Sequence, residues 1–160
     1  MIKKHLLVVT VCGIAMLFAA AGIYAKAVPD VIELRDPAYE EHKKGPVKFS
    51  HKKHQSEFAK EYPDVYKNGC GECHHDKDGK PLANLKEGDD VQKCITCHKK
   101  PGERPKGKDA PKLNKKERLE YHAEAYHYNC KDCHKSYNKK YKPSKDKKAP
   151  TTCSKCHEKK

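Results

Sequence analysis

The sequence predicts a mainly α-helical fold with much irregular loop, stabilised by something other than a conventional hydrophobic core. Beyond residue 25 only two phenylalanines occur, Phe49 and Phe58, and Leu, Ile and Val are scattered singly. Eight cysteines form four Cys-x-x-Cys pairs, and stretches rich in lysine and proline separate the segments that carry them. So little apolar side chain cannot bury much area, and composition alone therefore suggests either disorder or a fold held together by an external staple.

Residues 1–25 have the features of a secretory signal peptide. The positive residues 3–5 precede an apolar run over residues 6–21, and residues 25–27 form a small-x-small cleavage site. An uncleaved membrane anchor is the alternative, but the run is short for a membrane span. We therefore expect an exported chain with one mature domain, residues 26–160, and no stable membrane insertion after cleavage.

A histidine directly follows each cysteine pair, which is the c-type haem attachment pattern. Two thiols can reach the two vinyl groups of one porphyrin, and the next residue then places an imidazole under the iron. Histidine makes up 11 of 160 residues, so chance would place it at all four positions in roughly one of forty thousand cases. The motifs are Cys70-Gly71-Glu72-Cys73-His74, Cys94-Ile95-Thr96-Cys97-His98, Cys130-Lys131-Asp132-Cys133-His134 and Cys153-Ser154-Lys155-Cys156-His157.

Two other uses of paired cysteines are weaker hypotheses. Two Cys-x-x-Cys pairs can bind one zinc ion, but zinc sites do not require histidine after each pair. Disulfides within Cys-x-x-Cys loops are small and strained as structural bridges. Four covalently attached haems are the better interpretation.

The sixth ligand of each iron is expected to be histidine, because the only methionines, Met1 and Met16, lie in the signal segment. Bis-histidine haems have lower potentials than Met-ligated ones and leave no open position for a substrate. This favours electron transfer over catalysis. Beyond the signal segment and the motifs, the candidates are His42, His51, His54, His75, His122 and His127.

Local patterns favour four of these six histidines. His51 and His54 share a face if their segment is helical, so they could reach two haems on one side. His75 directly follows His74, and adjacent side chains diverge, so this pair could bind two different irons.

The last choice is between His122 and His127. Asn114 is a plausible helix N-cap with Glu117 as its capping-box partner, which predicts a helix over residues 115–128. His127 lies on the apolar face of that helix and His122 on the side of Arg118, so His127 is the favoured ligand. His42 lies in a polar stretch and is expected to be a solvated surface histidine.

These motifs resemble the class III cytochromes c, the tetrahaem cytochrome c3 family of the bacterial periplasm. The similar segments are Val47-Lys48-Phe49-Ser50-His51-Lys52-Lys53-His54, Cys70 to His75, Ala125-Tyr126-His127-Tyr128-Asn129-Cys130 and Pro150-Thr151-Thr152-Cys153-Ser154-Lys155-Cys156-His157. The resemblance implies a compact, cytochrome c3-like fold with four haems forming the core. It also implies a strand or loop over residues 26–46 and allows a short N-terminal β-hairpin there.

The resemblance further implies which histidines share an iron. The first haem takes His74 and His51, the second His98 and His75, the third His134 and His54, and the fourth His157 and His127. Some family members have four residues between the cysteines at the second and fourth sites, whereas all four gaps here are two residues.

The basic charge predicts acidic redox partners. Two of the 35 Lys and Arg, Lys3 and Lys4, lie in the signal segment, which leaves 33 in the mature chain. With 22 Asp and Glu, the mature chain therefore has a formal charge of +11. Lysines cluster in loops predicted over residues 99–113 and 136–150, and charge near a haem edge steers a redox partner. The resemblance implies periplasmic hydrogenase or membrane-bound electron-transfer complexes as partners. Offsetting haem propionates is the alternative role for the lysines, and export argues against nucleic acid.

The expected function is therefore that of a periplasmic electron carrier rather than an enzyme. A multihaem reductase of metal ions or small oxyanions is the alternative, and it requires an iron that lacks its sixth ligand.

Overall fold

The computed structural model describes residues 28–159. Residues 29–86 and 90–159 form one compact unit, and the elements below all belong to it. The predicted signal segment and its boundary at residue 26 lie outside the described residues. Within the described part, no helix is long and apolar enough to cross a membrane.

A two-stranded antiparallel sheet lies near the N-terminal end of the described chain. Strand β1 (Ile32–Leu34) pairs with β2 (Val47–Phe49), with Ile32 opposite Phe49. In both strands the central residue is exposed and its neighbours are half-buried, as expected when side chains alternate between two faces. The short N-terminal β-hairpin that the resemblance allowed is therefore present.

Helical segments and loops make up the rest, and α1 runs directly into α2 as α6 does into α7 and α8. Much irregular loop is present, as predicted, although the helices are few and mostly short. Segments α1 and α7 have π-helical hydrogen bonding, and α3 and α4 are 3-10 turns. In chain order they are α1 (Lys53–Phe58), α2 (Ala59–Glu61), α3 (Gly69–Glu72), α4 (Cys94–Thr96), α5 (Lys115–Leu119), α6 (His122–Tyr126), α7 (His127–Lys131), α8 (Asp132–Tyr141) and α9 (Cys153–Cys156).

The predicted helix over residues 115–128 has the expected beginning but is not continuous. The Asn114 side chain accepts a hydrogen bond from the Glu117 N–H at 3.0 Å, and the Glu117 carboxylate accepts from the Asn114 N–H at 2.7 Å. The helix then breaks at Tyr121, whose backbone is extended. Lys100 causes the break, because its N–H donates to the carbonyl of Glu120 and its carbonyl accepts from the N–H of His122.

The lysine-rich loop predicted from Ser136 begins later than expected. Residues 136–141 belong to α8, where the Ser136 hydroxyl donates to the carbonyl of Asp132 at 3.0 Å. The helix ends at Lys142, which has a left-handed φ of 47°, and Pro143 follows. The loop therefore spans residues 142–150. By contrast, residues 99–113 contain no helix or paired strand, as predicted.

Very few apolar side chains are buried in the part of the chain that the structure describes. Ala125 is the buried hydrophobic residue there, and His122, 2% exposed, is its most completely buried large side chain. The scarcity of core predicted from composition is therefore real. That four haems supply the missing interior stays a prediction.

Candidate functional site

All four cysteine motifs adopt a helical turn. The histidine N–H donates to the carbonyl of the first cysteine in three of them, from His74 to Cys70 at 3.0 Å, from His98 to Cys94 at 2.9 Å and from His157 to Cys153 at 2.8 Å. The third motif lies within α7 and α8. Positions i, i+3 and i+4 share one helical face. Each turn therefore presents two thiols and one imidazole on the same side.

No disulfide joins any two of the eight motif cysteines in the part of the chain that the structure describes. Across residues 28–159 no three His, Cys, Asp or Glu side chains converge on one point. The described residues thus provide neither the disulfides nor the tetrahedral donor set that the two weaker hypotheses require.

The structure brings motif histidines together with histidines from distant segments. The ring centroids of His54 and His134 are 6.2 Å apart, those of His75 and His98 are 5.9 Å apart, and those of His127 and His157 are 6.4 Å apart. His51 lies close enough to His74 to lower its pKa, although burial is the larger cause. These are the four pairs that the family resemblance implied.

The spacing within the pairs suits an iron between two imidazoles. A bond from a metal to an imidazole nitrogen is about 2 Å long, so rings on opposite sides of one ion have centroids roughly 6 Å apart. Each of the three measured spacings is within a few tenths of an ångström of that distance. The histidine pairs therefore fit bis-histidine coordination of haem.

Backbone carbonyls orient five of the eight paired histidines. A histidine that donates its Nδ1–H to a carbonyl leaves Nε2 unprotonated and available to a metal. The Nδ1 atom of His51 is buried without a hydrogen-bond partner in the described chain. The five bonds run from Nδ1 of His54 to Ser50 (2.9 Å), His75 to Asp76 (2.7 Å), His134 to Pro150 (2.7 Å), His157 to Gly45 (2.8 Å) and His98 to Leu119.

Gly45 is required where the C-terminal segment packs against residues 45–46. A Cβ at Gly45 would lie 2.3 Å from the carbonyl oxygen of Glu158. The N–H of Glu158 donates to the carbonyl of Pro46 at 3.2 Å, so the two backbones are in direct contact. This contact holds the Gly45 carbonyl against His157. Sequence reasoning missed the role of Gly45, because a lone glycine in a polar loop carries no signal of it.

The two remaining histidines have tyrosine partners. Nδ1 of His122 lies 3.1 Å from the Tyr39 hydroxyl, and its ring lies 4.8 Å from that of Tyr126. His42 is half-buried and stacks on Tyr39 at 5.2 Å, and its expected role as a surface histidine rather than a ligand stays a prediction. Neither ring has a ring contact with a motif histidine in the described chain, although His98 lies close enough to His122 to lower its pKa, with burial the larger cause. The sequence carried no signal for the part played by Tyr39.

A family model, that of the class III cytochrome C family, matches residues 29–157. The chain belongs to the class III cytochrome c family. As in that family, the protein is a multihaem electron-transfer cytochrome with covalently bound haem c. Class III cytochromes c are typically periplasmic electron carriers. Comparisons with curated proteins and with solved structures found no match.

Proposed function

We propose that this class III cytochrome is a periplasmic, low-potential electron carrier with four bis-histidine haems. The observation that supports this most strongly is the pairing of motif and non-motif histidines at spacings near 6 Å. Bound haem c supplies an iron that alternates between its ferric and ferrous states.

The chain's own residues have three tasks in this proposal. The cysteines of each motif hold one haem covalently, through Cys70 and Cys73, Cys94 and Cys97, Cys130 and Cys133, and Cys153 and Cys156. The histidine pairs would hold the haem irons, and bound haem would then offer no open site to a small substrate. Carbonyl groups hold the imidazoles in the ligating tautomer. The ligand pairs are His74 with His51, His98 with His75, His134 with His54, and His157 with His127.

Intact mass and an absorption spectrum test the haem content. Protein matured in a host that attaches haem should be red and should exceed its polypeptide mass by four haems. A Cys-to-Ser double change at any one motif, for example Cys153 with Cys156, should remove one haem. A colourless product, or a mass equal to that of the amino acids alone, would refute the proposal.

Lysines of the loop over residues 142–150 are proposed to bind an acidic redox partner, such as a periplasmic hydrogenase or a membrane-bound electron-transfer complex. Lys145, Lys147 and Lys148 are all exposed, and the loop connects the third and fourth motifs. Clustered charge of this kind raises association rates at low ionic strength.

Charge reversal tests this docking role. Changing Lys145, Lys147 and Lys148 to Glu should slow electron exchange with an acidic partner at low salt, and the difference should shrink at high salt. In the matched control, three exposed lysines of other segments are changed to Glu, namely Lys43, Lys44 and Lys67. An equal effect of both triple variants would show that net charge alone matters, and no effect of either would leave the lysines as solubilising residues.

A further inference from the structure

The chain has three arginines among its 35 basic residues, and two of them line the same cavity. Arg104 comes from the loop over residues 99–113, and Arg118 comes from α5. The cavity has a volume of about 480 Å³, and its other lining residues are Lys106, Gly107, Ala110, Pro111, Lys112 and Leu113. Four cations and no carboxylate therefore surround this space.

Two of the four cations are without a carboxylate partner. Arg104 lies 3.8 Å from Glu124, at the outer limit of an ion pair, and Lys106 pairs with Glu103 at 2.8 Å. Lys112 and Arg118 form no ion pair within residues 28–159. The cavity thus carries a positive excess of about two charges.

A second cavity has carboxylates in its lining, unlike this one. It is lined by the third arginine, Arg35, and by Lys44 and Lys159, but Glu40 and Glu41 line it as well. Its charges are largely balanced locally. The cavity lined by Arg104 and Arg118 has no carboxylate in its lining, so an anion from outside the chain could supply a counter-charge there.

The use of arginine indicates which kind of anion would bind. A guanidinium group offers a planar fork of N–H donors that matches two oxygens of one oxyanion, whereas lysine acts as a point charge. The chain uses lysine for almost all its positive charge, yet two of the four cationic side chains that line this cavity are arginines. This arrangement suits a tetrahedral dianion more than a diffuse acidic surface.

The backbone around the cavity is held by local hydrogen bonds. The capping box of Asn114 and Glu117 holds the first turn of α5, which carries Arg118. On the loop side, the Ala123 N–H donates to the carbonyl of Gly102, two residues before Arg104, at 3.1 Å. Both arginines therefore lie on segments with defined backbone conformations, which lowers the entropy cost of binding.

We propose that Arg104, Lys106, Lys112 and Arg118 form a binding site for a small tetrahedral oxyanion of the phosphate or sulfate class. The site uses none of the motif cysteines and none of the paired histidines. It therefore goes beyond the electron-carrier function.

Calorimetric titration of the haem-loaded protein with inorganic phosphate, at constant ionic strength set with chloride, tests the proposal. The wild type should bind one phosphate saturably. Arg104→Gln with Arg118→Gln should weaken binding by about tenfold or more, because charge-assisted hydrogen bonds are lost. Arg118→Lys should weaken it less, since the charge is kept and only the fork is removed.

The matched control is Lys145→Gln with Lys147→Gln, which removes the same charge from the loop over residues 142–150. It should bind phosphate as the wild type does. Absence of saturable binding to the wild type, including the case in which a haem propionate already fills the cavity, would overturn the proposal. An equal loss in the control would overturn it too. Haem content is measured on the same samples. A sample that holds four haems but fails the phosphate test would overturn the anion site alone, whereas missing haem would count against the electron-carrier proposal.

Discussion

Replacing His127 with Asn is the most direct test of the ligand choice between the two histidines of α6 and α7. His127 is 6.4 Å from His157, ring centroid to ring centroid, and no other histidine ring contacts His157 in the described chain. Asn is smaller and cannot reach an iron at that spacing. We therefore expect one haem to lose its sixth ligand and become high-spin, while the remaining haems stay low-spin.

The size of the effect follows from the four motifs. One site of four should change, so about one quarter of the total iron should give a high-spin signal in electron paramagnetic resonance. The reduced variant should bind one equivalent of carbon monoxide, and the wild type none. Added imidazole should restore the low-spin spectrum, because it can occupy the position left by the side chain.

His122→Asn is the matched control, since it makes the same change five residues earlier. His122 lies against Tyr39 and Tyr126 rather than a motif histidine, so all haems should stay low-spin. Loss of its buried contacts should instead lower the melting temperature of the holoprotein. High-spin haem in His122→Asn together with a low-spin His127→Asn would refute the assignment. Carbon monoxide binding by the wild type would favour the reductase hypothesis.

Three further changes probe the protein scaffold. The pKa of Asp64 is lowered to about 2, first by the hydrogen bond from Lys140, so its contribution to stability is complete above about pH 4 and is lost as the pH falls towards 2. In thermal unfolding, the stability difference between wild type and Asp64→Asn should therefore narrow over that pH range. A difference that stays constant with pH would contradict this. Gly45→Ala should destabilise the holoprotein by about 1–3 kcal/mol through its clash with Glu158, measured by denaturant unfolding, and an unchanged midpoint would show that the two backbones separate freely. Asn114→Ala should cost about 1 kcal/mol by removing the cap of α5, and an equal cost from Asn114→Ser, which can still cap, would argue against that cause.

The elements that the sequence predicted well are those with a local physical cause. The capping box at Asn114 was predictable because its partners are three residues apart and the side chains complete their own hydrogen bonds. The break at Tyr121 was not, because its cause is Lys100, a residue from another loop. The start of the lysine-rich loop was misjudged for a related reason. Composition marks Ser136 to Lys142 as polar, but polar residues can continue a helix until a left-handed residue and a proline end it.

The sequence by itself determined the attachment chemistry of this protein. Two thiols and an imidazole at positions i, i+3 and i+4 share one face of a single turn, so the spacing carries the site without help from the rest of the chain. Only the tertiary structure decided which histidines meet. His54 and His134 are far apart in sequence, and their 6.2 Å approach depends on how α1 and α8 pack. The carbonyls that orient the imidazoles, such as Gly45 for His157, likewise come from remote segments. The spacing of residues in the sequence predicts which side chains share one helical turn. It does not predict a ligand pair, because the two histidines of a pair lie on separate segments that the fold must hold at a set distance.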